Sequence, residues 1–322
     1  MTVDLTMVGA RLRGAGLTES ALLAWAGTHR LSLLPRRLSG LSARPPVPAS
    51  AALSQFVAGA HLTADQLRLL PIDELLEVGL LERAGDRFHA PWSVLPHEQG
   101  LLVCDRDDAE DAEQLVCWPD DSSYHLASAI GPGRRPRWID LACGSAFAPL
   151  ARPNLGAEIL GIDLNPRAVR FARLGAALSG CRHLTIEEAE IGVTHAPAAL
   201  VTCNAPIPDD HDVAIWRHAD RGFFDRMWPA ARACTAPGGE VITHTTLDAL
   251  PEELAGEAVT VAYTPPGERG YAITWWRPDA PARRVIARRM LTPIRPHLDP
   301  RDREEALQGG LPAVSSHGTS SP

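Results

Sequence analysis

The residues best placed to do chemistry begin with Asp140-Leu141-Ala142-Cys143-Gly144-Ser145-Ala146, which closes a short apolar run. Small side chains at such a point let the backbone approach a bound molecule closely. A second apolar run ends in Gly161-Ile162-Asp163, 23 residues after Asp140. A carboxylate in that place can accept both hydroxyls of a ribose, so the two pieces together imply an adenosine-containing ligand. A further apolar run ends in Asn204-Ala205-Pro206-Ile207, and the acidic stretch Asp209-Asp210-His211-Asp212 follows at once. If it rims a pocket, that stretch favours a cationic amine or guanidinium, with His211 as a base for an ammonium. As an exposed loop it is simply solvated. Trp216, Trp118 and Tyr124 can wall the same pocket or pack in the core. His244 and Thr245 likewise can face the site or the core.

Two adenosine-containing ligands compete. A nicotinamide dinucleotide wants G-x-G-x-x-G, with a helix N-terminus facing its pyrophosphate. Here only Gly144 is present, with Ala at 142 and Pro at 149. S-adenosylmethionine has no pyrophosphate and does not need the full glycine set. The residues therefore favour the methyl donor over the dinucleotide.

These groups need a scaffold that brings strand ends together. From Arg137 onward strand and helix signals alternate. Apolar runs fall at 138–142, 158–163, 183–189, 199–203 and 240–246. The clearest helix runs from Pro166 to Ser179, with Asn165 as its cap, Pro166 in the first turn and Gly180 closing it. Another is expected over 220–234. Such alternation demands a parallel sheet covered on both faces, whose ligands lie at the carboxyl ends of the strands. Residues 258–264 and 271–277 read as a hairpin that adds an antiparallel pair.

The flanking segments read differently. Residues 1–96 read as a small helical domain, with helices over 17–27 capped by Thr18, 63–70 capped by Thr63, and 71–78. Two short strands follow around Gly85-Asp86, which makes the module winged-helix-like, a substrate or cap domain. Residues 97–130 form a connector, with two strands over 101–118 flanking an acidic turn. The main domain spans 131–295. Residues 296–322 are rich in Pro, Gly and Ser and are expected to be disordered.

Over residues 120–280 the chain resembles the class I S-adenosylmethionine-dependent methyltransferases, which implies a Rossmann-like, seven-stranded, mostly parallel sheet closed by an antiparallel hairpin. Asp140 to Ala146 resembles the family's first motif, usually D-x-G-x-G-S-G, with Ala142 and Ala146 standing in for two of its glycines. Gly161 to Ala168 resembles the next motif. By this likeness Asp140 helps hold the methionine part, Asp163 the ribose, and Glu190 lies near the adenine; Ala142, Gly144, Ala146, Leu164 and Asn204 complete the cofactor set. Asn204-Ala205-Pro206-Ile207 resembles the (Asp/Asn)-Pro-Pro-(Tyr/Phe) motif of enzymes that methylate N5 of glutamine or N6 of adenine. There the Asn oxygen and a following carbonyl accept from the target NH2, which assigns Asn204 and Pro206 to catalysis. Ala205 replaces the first Pro, and Ile207 replaces the aromatic that stacks on a planar target. The implied substrate set is Ile207, Asp209, Asp210, His211, Trp216 and Tyr124.

Composition narrows the field. Among 322 residues there is no lysine: all 31 basic residues are Arg. Schiff-base chemistry and lysine-dependent phosphate binding are thereby excluded. A net charge of −8 disfavours general nucleic-acid binding. The six cysteines form no C-x-x-C pair and no zinc spacing, so no metal is expected. With no signal peptide and no long apolar span, the expected location is cytoplasmic. The expected activity is N-methylation of an amine, amide or guanidine of a small metabolite or peptide. A protein glutamine, an RNA adenine, a nicotinamide oxidoreductase and a non-catalytic cofactor-fold binding protein are the alternatives.

Overall fold

The computed structural model describes residues 3–33, 50–98, 100–106, 109, 114–208, 218–219, 222–264 and 270–314. Its strands are β1 (Leu62–Thr63), β2 (Glu82–Ala84), β3 (Arg87–His89), β4 (Ser93–His97), β5 (Gly100–Cys104), β6 (Arg135–Leu141), β7 (Gly156–Asp163), β8 (Leu184–Glu188), β9 (Ala198–Asn204), β10 (Ile207–Pro208), β11 (His218–Ala219), β12 (Thr235–Thr246), β13 (Glu257–Ala262), β14 (Tyr271–Arg277) and β15 (Arg283–Arg288). Eight of them form one sheet in the order β15-β13-β14-β12-β9-β6-β7-β8. The strand runs expected between residues 138 and 277 all fall in it. β6, β9 and β12 run parallel, and β14 is antiparallel to both β12 and β13. The fold is thus α/β with a mostly parallel central sheet. It has eight strands rather than seven: Arg283–Arg288 pairs in parallel with β13 as an edge strand. Its arginine-rich sequence hides it, because an edge strand needs no continuous apolar run.

Two compact units divide the chain. The first comprises Met1–Asp121, Cys143–Pro153 and Gly161–Ala189. In it, helix Glu19–Ala26 begins at Thr18, whose hydroxyl accepts from the Ala21 N–H as expected. The helix expected over 63–70 is absent. Leu62 and Thr63 pair instead with Phe88 and Arg87, and turns follow. The ladder β1-β3-β2 is antiparallel throughout. The strand pair expected over 101–118 is also redrawn: Gly100–Cys104 pairs back onto Ser93–His97. The chain then turns at Asp105, whose backbone and carboxylate both hold Val116. Helix Pro166–Leu178 starts where Asn165 accepts from the Arg167 N–H at 2.9 Å. It packs on β5 at Gly175, where an added Cβ would lie 2.9 Å from the Leu101 oxygen.

The second unit comprises Ser122–Ala142, Asn154–Leu160 and Glu190–Pro322. Helix Asp121–Ala129 lies inside the expected connector, almost wholly in this unit. It crosses one sheet face: Trp275 Nε1 donates to the Ala129 oxygen at 3.0 Å. The tail expected to be disordered also holds a helix, Pro300–Leu307, begun by a capping box between Asp299 and Asp302. Asp302 is fully buried, and both its carboxylate oxygens accept from one Arg289 nitrogen, Nη1, at 2.5–2.6 Å. That ion pair holds the segment in place against the expectation from composition. Residues 315–322 lie outside the described residues. Among the described residues no helix is long and apolar enough to cross a membrane.

Candidate functional site

In the first unit the chemistry gathers at the carboxyl end of β7. The loop after β6 is tied to it by the Cys143 N–H, which donates to the Ile162 oxygen at 2.9 Å. Gly161 permits this approach, since a Cβ there would meet Ile186 Cδ1 at 2.7 Å and Cys143 Sγ at 3.0 Å. Asp163 then receives the Gly144 N–H at 2.7 Å on one carboxylate oxygen and the Asn165 N–H at 2.9 Å on the other. Its backbone carbonyl takes the Ala189 N–H. Burial pushes the Asp163 carboxyl above the ordinary aspartate range, and the N–H groups of Asn165, Gly144 and Leu164 pull it back. Each oxygen keeps a lone pair for a further donor. Leu164, beside it, is 50% exposed, an apolar surface next to a partly desolvated carboxylate.

The loop adopts glycine geometry without the glycines. Ala142, Gly144 and Ala146 have φ of 50°, 55° and 59°. Alanine in that region costs about 1 kcal/mol or more, a strain characteristic of ligand-contacting loops. Ala146 is fully buried and opens helix Phe147–Ala151. Ala142→Gly and Ala146→Gly are each expected to raise stability by about 0.5 kcal/mol, the relief of strain less the chain entropy of glycine. Thermal unfolding of the single variants measures this; a lowered Tm in both would show that the alanine methyls pack favourably.

In the second unit the register fixes one polar face. Asp140 pairs with Thr202 across β6 and β9, and Asn204 with His244 across β9 and β12. Paired residues of adjacent strands point to the same face, as do alternate residues along a strand. Trp138, Asp140, Thr202, Asn204 and His244 therefore share it, and so do Thr246, Tyr271, Ile273 and Trp275 through the β12–β14 pairing. Asp140 is only 3% exposed; it accepts the Thr202 hydroxyl at 2.5 Å, and that oxygen accepts from Trp138 Nε1 at 2.7 Å. Asn204, at the carboxyl end of β9, donates from Nδ2 to Ser122 Oγ at 3.0 Å and Ser123 Oγ at 3.4 Å. Its Oδ1 is buried with no partner among the described residues. A buried, unsatisfied amide oxygen is costly in a resting protein and is what a hydrogen-bond donor on a ligand would relieve.

The structure therefore joins Gly144 to Asp163 in one unit, and Asp140 to Thr202 and Asn204 to Ser122 and Ser123 in the other. Ala142 and Ala146 flank Gly144 in the chain. Pro206 and Ile207 are half-buried just beyond Asn204, and Tyr124 is half-buried and stacked on His297 at 5.7 Å. Glu190 is exposed in the turn after β8. Asp209, Asp210, His211 and Trp216 lie outside the described residues. Thr202, Ser122, Ser123 and Tyr263 were not expected from the sequence. Only Thr202 carried a local signal, two residues before Asn204 on the same strand. Among the described residues no three His, Cys, Asp or Glu side chains gather as a metal site.

No protein-family model matches the chain, and no curated protein matches it in sequence. Solved structures show partial likeness. One is a predicted O-methyltransferase from Agrobacterium tumefaciens, 17% identical with a TM-score of 0.41, over 61% of this chain and 99% of that one. Another is the N-methyltransferase NodS from Bradyrhizobium japonicum, 16% identical with a TM-score of 0.36, over 50% and 94%. A third is an S-adenosylmethionine-dependent methyltransferase from Geobacter sulfurreducens, solved with S-adenosyl-L-homocysteine. It is 16% identical with a TM-score of 0.31, over 48% and 53%. At these scores the likeness says nothing about ligand or substrate.

Proposed function

We propose that this chain is an S-adenosylmethionine-dependent N-methyltransferase acting on an amine, amide or guanidine nitrogen of a small metabolite or peptide. The observation that carries this reading is the buried, unpartnered Oδ1 of Asn204, with its Nδ2 held by two serine hydroxyls. An acceptor N–H donating to that oxygen is turned so that its lone pair points away from Asn204. Positioning of this kind supplies much of the rate of such a displacement.

The cofactor half fits the residues present. Asp163 offers a carboxylate at a strand end for the two ribose hydroxyls, and exposed Leu164 offers an apolar face for a purine. The cofactor, when bound, supplies an electrophilic methyl group. Asp140 is buried against Thr202, so its part is to hold the strand end from which the loop departs. Residues 1–96 are read as winged-helix-like, on the helices described there and the β1-β3-β2 order. Their helix Ile72–Glu77 carries Asp73, Glu74 and Glu77 and no basic residue, which favours a cap or substrate module over a reader of nucleic acid.

Calorimetry with S-adenosylhomocysteine and with NADH tests the reading. The expected result is saturable binding of the former in the range of about 1–100 μM and none of NADH. Tight NADH binding without S-adenosylhomocysteine would make the chain a nicotinamide protein. Binding of S-adenosylhomocysteine with Asn204→Ala leaving methyl transfer unchanged would remove Asn204 from the mechanism.

A further inference from the structure

We propose that Tyr263 and His244 are the proton-accepting pair of the acceptor site beside Asn204; this rests on the reading of Asn204 given above. Three observations converge on them. His244 is the register partner of Asn204 and shares its face, and the Ala205 N–H donates to the His244 carbonyl at 3.0 Å. His244 Nε2 lies 2.8 Å from the Tyr263 hydroxyl. Helix Asp121–Ala129 closes the circle: Ser122 and Ser123 receive Asn204, while His125 stacks on Tyr263 with ring centroids 3.9 Å apart. The same face shows a second buried oxygen with no partner among the described residues, Thr246 Oγ1, two residues from His244. The buried, unpartnered Asn204 Oδ1 beside a His–Tyr pair at one strand end describes a surface arranged for a polar ligand.

A nitrogen that gains a methyl group becomes positively charged and must lose a proton, before the reaction if it arrives as an ammonium or after it if it is an amide. Tyr263 Oη accepts that proton and passes its own phenolic proton to His244 Nε2, and the resulting imidazolium returns it to water. This requires the His244 proton to reside on Nδ1, so that Nε2 accepts from Tyr263. The titratable and charged groups around the pair are Tyr124 and His125 on the helix, Tyr271 on β14, and His297 and Arg289 with Asp302 on the C-terminal segment. His125 is a positioning residue. Its Nδ1 accepts the Leu298 N–H at 3.0 Å, and its ring holds Tyr263 in place.

The probe is sinefungin, which carries an amine on carbon where S-adenosylmethionine carries its methyl-bearing sulfur. Calorimetry compares it with S-adenosylhomocysteine, which lacks that amine and serves as the control for folding. Wild-type protein is expected to bind sinefungin about ten-fold tighter, as one charge-assisted hydrogen bond would give. Tyr263→Phe reduces the ratio to about one and leaves S-adenosylhomocysteine affinity unchanged. His244→Gln, which removes the imidazole that takes the Tyr263 hydroxyl proton, lowers the ratio in the same direction. Should S-adenosylhomocysteine bind normally while both variants keep the wild-type ratio, the pair has no such role. Failure of wild-type protein to bind S-adenosylhomocysteine at all would instead overturn the methyltransferase reading beneath it.

Discussion

Asp163→Ala lowers the affinity for S-adenosylhomocysteine by at least about 100-fold, the equivalent of two hydrogen bonds to a charged group at about 1.5 kcal/mol each. The size of the effect follows from how this carboxylate is held. One oxygen is fixed by the Gly144 N–H and the other by the Asn165 N–H, so the free lone pair on each points in a set direction. A pre-oriented acceptor loses little entropy when the two ribose hydroxyls arrive. Burial has already raised the carboxyl above the ordinary range, so acid weakens the cofactor before it protonates an ordinary surface aspartate. Asp163→Asn is expected to fall between alanine and wild type, because its amide NH2 must face one of two N–H donors. Calorimetry at neutral pH, well below the unfolding temperature of each variant, gives the result. A change of less than about three-fold in Asp163→Ala would place the ribose elsewhere. Thermal unfolding separates this from loss of fold, since the same substitution orphans two backbone N–H groups at about 1 kcal/mol or more each.

Much of the local structure around the proposed cofactor half was legible because its determinants are local. An apolar run ending in Gly-x-Asp, followed by Asn-Pro and closed fourteen residues after that Pro by Gly180, defines a strand, a carboxylate at its end and a capped helix without any distant partner. The proposed acceptor half was legible only at Asn204. Tyr263 reaches His244 through the β13–β14 hairpin and its register with β12, and Ser122 reaches Asn204 across 82 residues. No spacing rule conveys such contacts, because register is set by pairing and packing. The C-terminal helix was misread for a different reason. Asp299-Pro300 with Asp302 three residues on is a capping signature, but the Pro- and Gly-rich composition around it pointed the other way. A local signal with a mechanism outweighs composition there, because Arg289 supplies a buried charge partner from outside the segment.

Acid destabilises this protein through His125, which is the second large effect. The side chain is 1% exposed and its Nδ1 accepts the Leu298 N–H, so it must remain neutral. Burial first, then His244, His297 and Arg289, lowers its pKa to about 2. An unfolded imidazole titrates near about 6.5. Between those values the unfolded chain binds a proton that the native protein refuses, so stability rises with pH across the window. The full contribution is present above the unfolded value, and about 1.4 kcal/mol is lost per pH unit as pH falls below it. His97, lowered by burial as well, acts in the same sense. Asp302 and Asp163, whose carboxyls burial raises, act in the opposite one. The informative quantity is therefore the difference between wild type and His125→Asn, which retains a neutral acceptor. Urea unfolding from about pH 7 to about pH 4.5 should show the wild type losing about 3 kcal/mol more than the variant. Parallel slopes would mean that His125 titrates normally and that the Leu298 contact does not persist in solution. Because His125 also carries Tyr263 against its ring, protonation turns an acceptor into a donor facing the Leu298 N–H. Through His125, therefore, the sinefungin preference should be lost together with the fold and not at a higher pH, because the native ring refuses the proton down to about 2.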